Sequence, residues 1–147
     1  MKNKGFTLIE ILTVLVILSV LMAIAIPQFV NMRKNTELTT FSNELLEDLR
    51  YAKQIGISQG SSVLTINCVL SGGKTGYKIT DNNGNIKKQR ENPSTVTINP
   101  SGVITVTFSS NGSCALSGTT GTIAMTSTGG MTKTITILPA TGMINMN

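Results

Sequence analysis

The chain contains no histidine and no tryptophan. Without histidine it lacks both the commonest general base near neutral pH and the commonest zinc ligand. Charged residues make up only 13% and aromatics only 4% of 147 residues. Its few carboxylates are not paired with a nucleophile or a metal-ligand partner, and abundant Ser and Thr without His or a Ser–Lys constellation do not make a hydrolase. No enzyme, metal site or cofactor is therefore expected. Cysteine is scarce too, with only Cys68 and Cys114. In an oxidising compartment these could form one disulfide closing a long loop, worth roughly 4 kcal/mol in the chain-entropy picture. The other reading is two separate buried thiols acting as small apolar residues.

What the chain does have is unevenly distributed. Between Ile11 and Ile26 the only polar side chains are Thr13 and Ser19, whereas the last hundred or so residues are rich in Thr, Ser, Gly and Asn. Phe6–Ile26, about 21 residues, spans about 31 Å as a helix, close to the thickness of a bilayer core. Lys2 and Lys4 precede it and predict a cytoplasmic N-terminus with the rest of the chain outside. Glu10 lies inside this run. A carboxylate facing lipid costs about 2.5–3.5 kcal/mol at a helix centre and less near the interface, so it asks for a functional reason.

Beyond the run, Pro27 lacks an amide donor and should kink or locally melt the helix without ending it. Leu38, Phe41, Leu45, Leu49, Ala52 and Ile55 then recur at steps of three or four, the apolar stripe of an amphipathic helix, with Glu37, Asn43, Glu44, Glu47, Asp48 and Lys53 on the other faces. Gly56 and Gly60 read as stop signals. Six to eight short antiparallel strands are expected to follow, beginning with Ser62–Leu70. Turns are read at Asp81-Asn82-Asn83-Gly84, Pro100-Ser101-Gly102 and Ser127-Thr128-Gly129-Gly130, with a last short strand at Met143–Met146. The predicted fold class is α+β: one long helix, hydrophobic in its first half and amphipathic in its second, packed against a C-terminal antiparallel sheet domain.

Lys4-Gly5-Phe6-Thr7-Leu8-Ile9-Glu10 resembles the processing motif of type IV prepilins and type II secretion pseudopilins. The resemblance implies a short basic leader ending in Gly5, cleavage between Gly5 and Phe6 by a prepilin peptidase, and N-methylation of Phe6. It also implies that Glu10 pairs with the N-terminus of a neighbouring subunit, and Pro27 stands where many members carry a proline. Residues 1–5 would then be the leader, 6–26 the transmembrane and assembly helix, 27–57 the amphipathic half and 61–147 the β domain. Loss of Lys2 and Lys4 from the 12 Lys and Arg would leave 10 against 7 Asp and Glu, a mildly basic chain.

Phe41–Lys53 and Ile57–Val63 are similar to the H-type pseudopilins and their minor-pilin relatives (the GspH/FimT group), as is the closing stretch from Thr134 to Ile144. This implies a non-enzymatic structural subunit of a type IV pilus or type II secretion pseudopilus. It implies as partners other pilins or pseudopilins, the prepilin peptidase and an inner-membrane assembly platform. The implied location is the bacterial inner membrane, crossed once, and then the filament. A second reading is a DNA-binding minor pilin of a DNA-uptake pilus. The group's basic C-terminal motif is missing, since Gly142–Asn147 holds no Lys or Arg, and phosphate contacts need those residues. The one dense basic run, Lys87-Lys88-Gln89-Arg90, would have to supply them, although such runs more often form a solvated face or protect a sheet edge.

Overall fold

The computed structural model describes residues 6–70 and 72–147. One α-helix, α1 (Leu8–Gln59), runs through 52 residues, about 78 Å at the usual rise. Pro27 falls inside it without ending it. The helix has two unlike halves. Its large apolar residues from Phe6 to Met32 are all exposed, whereas Leu38, Phe41, Leu45, Leu49, Ala52 and Ile55 are buried beneath the sheets, the stripe expected from their spacing. Gly56 is not a stop. It sits inside the helix because a Cβ there would lie 2.9 Å from Phe108 Cβ and 3.0 Å from the Phe108 carbonyl oxygen, so its role is close packing against the sheet. The helix ends at Gly60, whose φ of 93° is left-handed backbone that glycine adopts without strain.

Among the described residues nine strands follow, all antiparallel where paired: β1 (Ser61–Val69), β2 (Thr75–Asp81), β3 (Ile86–Glu91), β4 (Val96–Asn99), β5 (Ile104–Ser109), β6 (Cys114–Ser117), β7 (Thr122–Ser127), β8 (Thr132–Leu138) and β9 (Met143–Met146). They form two sheets, a five-stranded one in the order β3-β2-β1-β5-β6 and a four-stranded one in the order β4-β7-β8-β9. Alternation places Leu64, Ile66, Tyr77, Ile79, Ile104, Val106 and Phe108 of the first sheet and Ile98, Ile123, Met125, Ile135 and Ile137 of the second in one core with the helix stripe. The α+β class and the helix-then-sheet order hold.

The turns at Asp81–Gly84 and Ser127–Gly130 close hairpins between β2 and β3 and between β7 and β8. Pro100-Ser101-Gly102 does something else. It carries the chain from β4 in the second sheet to β5 in the first. The Asn67 side-chain amide holds this crossover by donating to the carbonyls of Pro100 and Gly102, each at 3.2 Å. Asn67 has a φ of 55° and sits at an irregularity in the β1–β2 register. β6 went unread because Cys-Ala-Leu-Ser carries no β-branched residue and no alternation.

Candidate assembly site

The exposed half of α1 is where the sequence placed its chemistry. Thr7 caps the helix in extended conformation (φ −82°, ψ 151°). Its Oγ1 accepts from the Glu10 amide at 3.3 Å, and the Glu10 carboxylate in turn accepts from the Thr7 amide at 3.5 Å. This reciprocal capping box satisfies two of the donors that every helix start leaves unpaired. Thr7 was missed as a site residue, although the spacing Thr-x-x-Glu before an apolar run is its standard signature. The two hydroxyls deeper in the run are returned to their own helix, Thr13 Oγ1 to the Ile9 carbonyl at 2.8 Å and Ser19 Oγ to that of Val16 at 2.7 Å. The surface from Phe6 to Ile26 is therefore apolar apart from one carboxylate within its first turn. α1 is long and apolar enough to cross a membrane in this half. Phe6 is 79% exposed. The Met1–Gly5 leader, and with it the Gly5 side of the expected cut, lies outside the described residues.

The basic run has a different place from the one a phosphate-binding surface needs. Lys87 pairs with Asp81 at 3.0 Å, Lys88 pairs with Asp48, and Arg90 pairs through Nη1 with Glu44 at 2.9 Å, its Nε lying 3.5 Å from Asp48. All three cations of β3 are thus bound to carboxylates of the same chain. Lys88 and Arg90, two residues apart, face α1 and tie the edge strand β3 to it. Nothing in this geometry supports a DNA contact through Lys87, Lys88 and Arg90, whose charges are already matched by carboxylates within the fold.

Asp48 is at the centre of this clasp and only 3% exposed. Its second oxygen accepts from the Tyr77 hydroxyl at 2.8 Å. Burial, reinforced by the bond to Asp48 and by that carboxylate's charge, pushes the Tyr77 phenol well above its usual value. At the far end of β2, Asp81 accepts from the Asn83 and Asn85 amides at 2.9 Å each and from the Asn85 side chain at 3.1 Å. The Lys87 ammonium first, then the Asn85 bonds, pull the Asp81 carboxyl down to about 2. Lys53, placed by its spacing on a face other than the apolar stripe, donates to the carbonyls of Thr141 at 2.9 Å and Gly142 at 3.1 Å, fastening the β8–β9 turn to the helix.

The proposed bridge between Cys68 and Cys114 is also corrected, since both are free and buried. Cys114 pairs with Phe108, and Phe108 pairs with Ser62, so Cys114 lies two strands from Ser62. Cys68 is six residues further along β1, about 20 Å at the strand rise. A disulfide tolerates a Cα separation of no more than about 7 Å. Burial raises the Cys114 thiol above its ordinary value.

Comparison with known proteins agrees with this architecture in both halves. A family model described as the prokaryotic N-terminal methylation motif matches residues 1–26. A second, described as type II transport protein GspH, matches residues 42–141, about two thirds of the chain. Two curated relatives, each a fimbrial protein of Pseudomonas aeruginosa, are 33% identical over 95 residues, which covers 54% of this chain and 61% of each relative. The chain thus spans less than two thirds of the length of those relatives. No solved structure matches it. An exposed apolar half-helix headed by a lone carboxylate, joined to an amphipathic half clasped by two antiparallel sheets, coincides with the two family matches, and the chain belongs to the type II transport protein GspH family, the group of H-type pseudopilins and minor pilins, with the N-terminal methylation motif at the head of α1.

Proposed function

We propose that this chain is a minor, non-enzymatic subunit of a type IV pilus or type II secretion pseudopilus, stored in the inner membrane and assembled through the first half of α1. The observation that carries the proposal is the uncovered apolar surface from Phe6 to Ile26, whose one charged residue among those described is Glu10 in its first turn. The fold leaves this surface unburied, so lipid must cover it first and neighbouring helices afterwards.

In this reading the prepilin peptidase cuts between Gly5 and Phe6, and the new α-amino group of Phe6 is methylated and cationic near neutral pH. Glu10 then meets a choice of partners. The Thr7 amide that it accepts from is neutral and 3.5 Å away, a weak bond. A neighbour's ammonium brings a full opposite charge and a shorter contact, about 2.7–2.9 Å for such pairs, inside a helical bundle that excludes water. That exchange draws the subunit out of lipid and sets its axial register against the next one. The N-terminus lies on the cytoplasmic side and the β domain outside. The remaining partners are other pilins or pseudopilins and the inner-membrane assembly platform.

The test is Glu10→Ala in the full chain, expressed with its native assembly machinery. Mass spectrometry is expected to find the leader removed and Phe6 methylated as in the parent, while the chain disappears from the sheared filament fraction and accumulates in membranes. Incorporation at parental levels would overturn the pairing.

A further inference from the structure

We infer that the outward face of the second sheet is the surface on which the β domain of a neighbouring filament subunit docks. The inference rests on the subunit reading above and adds where the contact falls. The inner residues of β4, β7, β8 and β9 are buried against the helix, so the alternate residues point away from it. Register aligns them in rows across the strands: Thr97 opposite Thr126 and Thr126 opposite Thr132, then Thr134 in the centre, then Leu138 opposite Met143 at the end. Among the described residues this face carries no charged side chain; Lys133 of β8, opposite the buried Met125, falls on the inner side by register.

Charge is kept elsewhere. Lys78, Lys87 and Glu91 lie on β2 and β3 of the other sheet, and Glu47 and Arg50 on the exposed side of α1. Leu138 and Met143, 44% and 49% exposed, add an apolar end to the face. Part of its polarity is already satisfied internally, because the Thr126 and Thr132 hydroxyls bond each other at 3.2 Å. Depletion of charge together with exposed Met and Leu is the composition of an interface core.

Size selects the occupant. Four strands about 4.8 Å apart and up to seven residues long make a face of about 400 Å², half of the roughly 800 Å² that each partner of a stable free complex buries. Such a face cannot hold a partner captured from solution. It suffices for one already held alongside by a shared membrane or filament, where effective concentration replaces area. The contact is heterologous, this face against a different surface of the neighbour, because the same face on two copies would form a closed twofold pair that a helical filament cannot continue.

A photocrosslinking residue placed at Thr134 in the full chain, expressed with its native machinery, tests this. Probes at Thr65, on the outward face of the first sheet, and at Leu15, in the assembly helix, run in parallel. The expected result is capture of a pilin-like subunit from Thr134 several-fold more strongly than from Thr65, with capture from Leu15 as well. Capture from Leu15 with none from Thr134 overturns the docking face and leaves the subunit reading standing. A Thr134-to-Thr134 link between two copies also overturns it. Capture from neither Leu15 nor Thr134 overturns the subunit reading, and the docking face with it.

Discussion

Replacing Asp48 by Asn removes one charge from the clasp between α1 and β3 while keeping nearly the same shape. The Tyr77 hydroxyl, 2.8 Å from the carboxylate, can still donate to the amide oxygen, so the loss falls on Lys88 and Arg90. Stripping the partner from a fully buried ion pair costs about 3–5 kcal/mol. Here the two cations are 38% and 39% exposed, and Arg90 keeps Glu44 at 2.9 Å. Water and Glu44 therefore recover part of the loss, leaving a destabilisation of about 2 kcal/mol. For a domain of this size that lowers Tm by roughly 5–10 °C. Thermal unfolding of the full-length protein in mild detergent, followed by near-UV circular dichroism, reads this directly. Because Asp48 attracts cations across a partly wet boundary, raising salt should destabilise the parent more than the variant. A Tm change below about 2 °C, with equal salt dependence in both proteins, would show that the clasp adds nothing beyond the apolar contacts around it.

Gly76→Ala should lower the urea midpoint by the equivalent of about 1–3 kcal/mol, because the added Cβ would collide with the Arg90 carbonyl oxygen and with Leu70 Cδ1; an unchanged midpoint would refute the close approach of β2 and β3. Asp81, whose folded-state carboxyl is held at about 2 against an ordinary 3.8, contributes stability that is complete above its unfolded value and is lost as pH falls through the folded one. Stability of the parent should drop between about pH 4 and pH 2 more steeply than that of Asp81→Asn, and parallel acid titrations would contradict this. Denatured without reductant, the chain should react with two equivalents of a thiol reagent, react slowly when native, and show a Tm indifferent to dithiothreitol; blocked thiols in the denatured chain would contradict the unbridged arrangement.

Some of this was legible without coordinates, and the physical basis differs from residue to residue. The buried stripe from Leu38 to Ile55 could be read because helix periodicity is local. Glu10 stood out because a charge in a long apolar run is costly wherever it lies. The capping box at Thr7 is equally local, since both of its partners lie within the first turn. By contrast Asp48 and Lys53 lie on the polar faces by periodicity, and nothing nearby marks them as engaged. Asp48 finds Tyr77 and Lys88 at 29 and 40 residues' distance, and Lys53 finds Thr141 at 88. The same holds for the basic run, whose partners lie on another element. Pro100-Ser101-Gly102 has a turn's composition whether it closes a hairpin or passes between sheets; only the choice of pairing partner distinguishes the two.

Taken alone, the sequence determined which half of α1 is long and apolar enough to cross a membrane, which face of its other half is buried, and that an antiparallel β domain follows, because each depends on hydrophobicity and spacing within one element. Tertiary structure decided the division into two sheets, the neutralisation of Lys87, Lys88 and Arg90, the separation of Cys68 from Cys114 and the charge-free outward face of the second sheet. Each of those depends on which strands lie side by side, and strand order is set by long-range packing that no local pattern encodes.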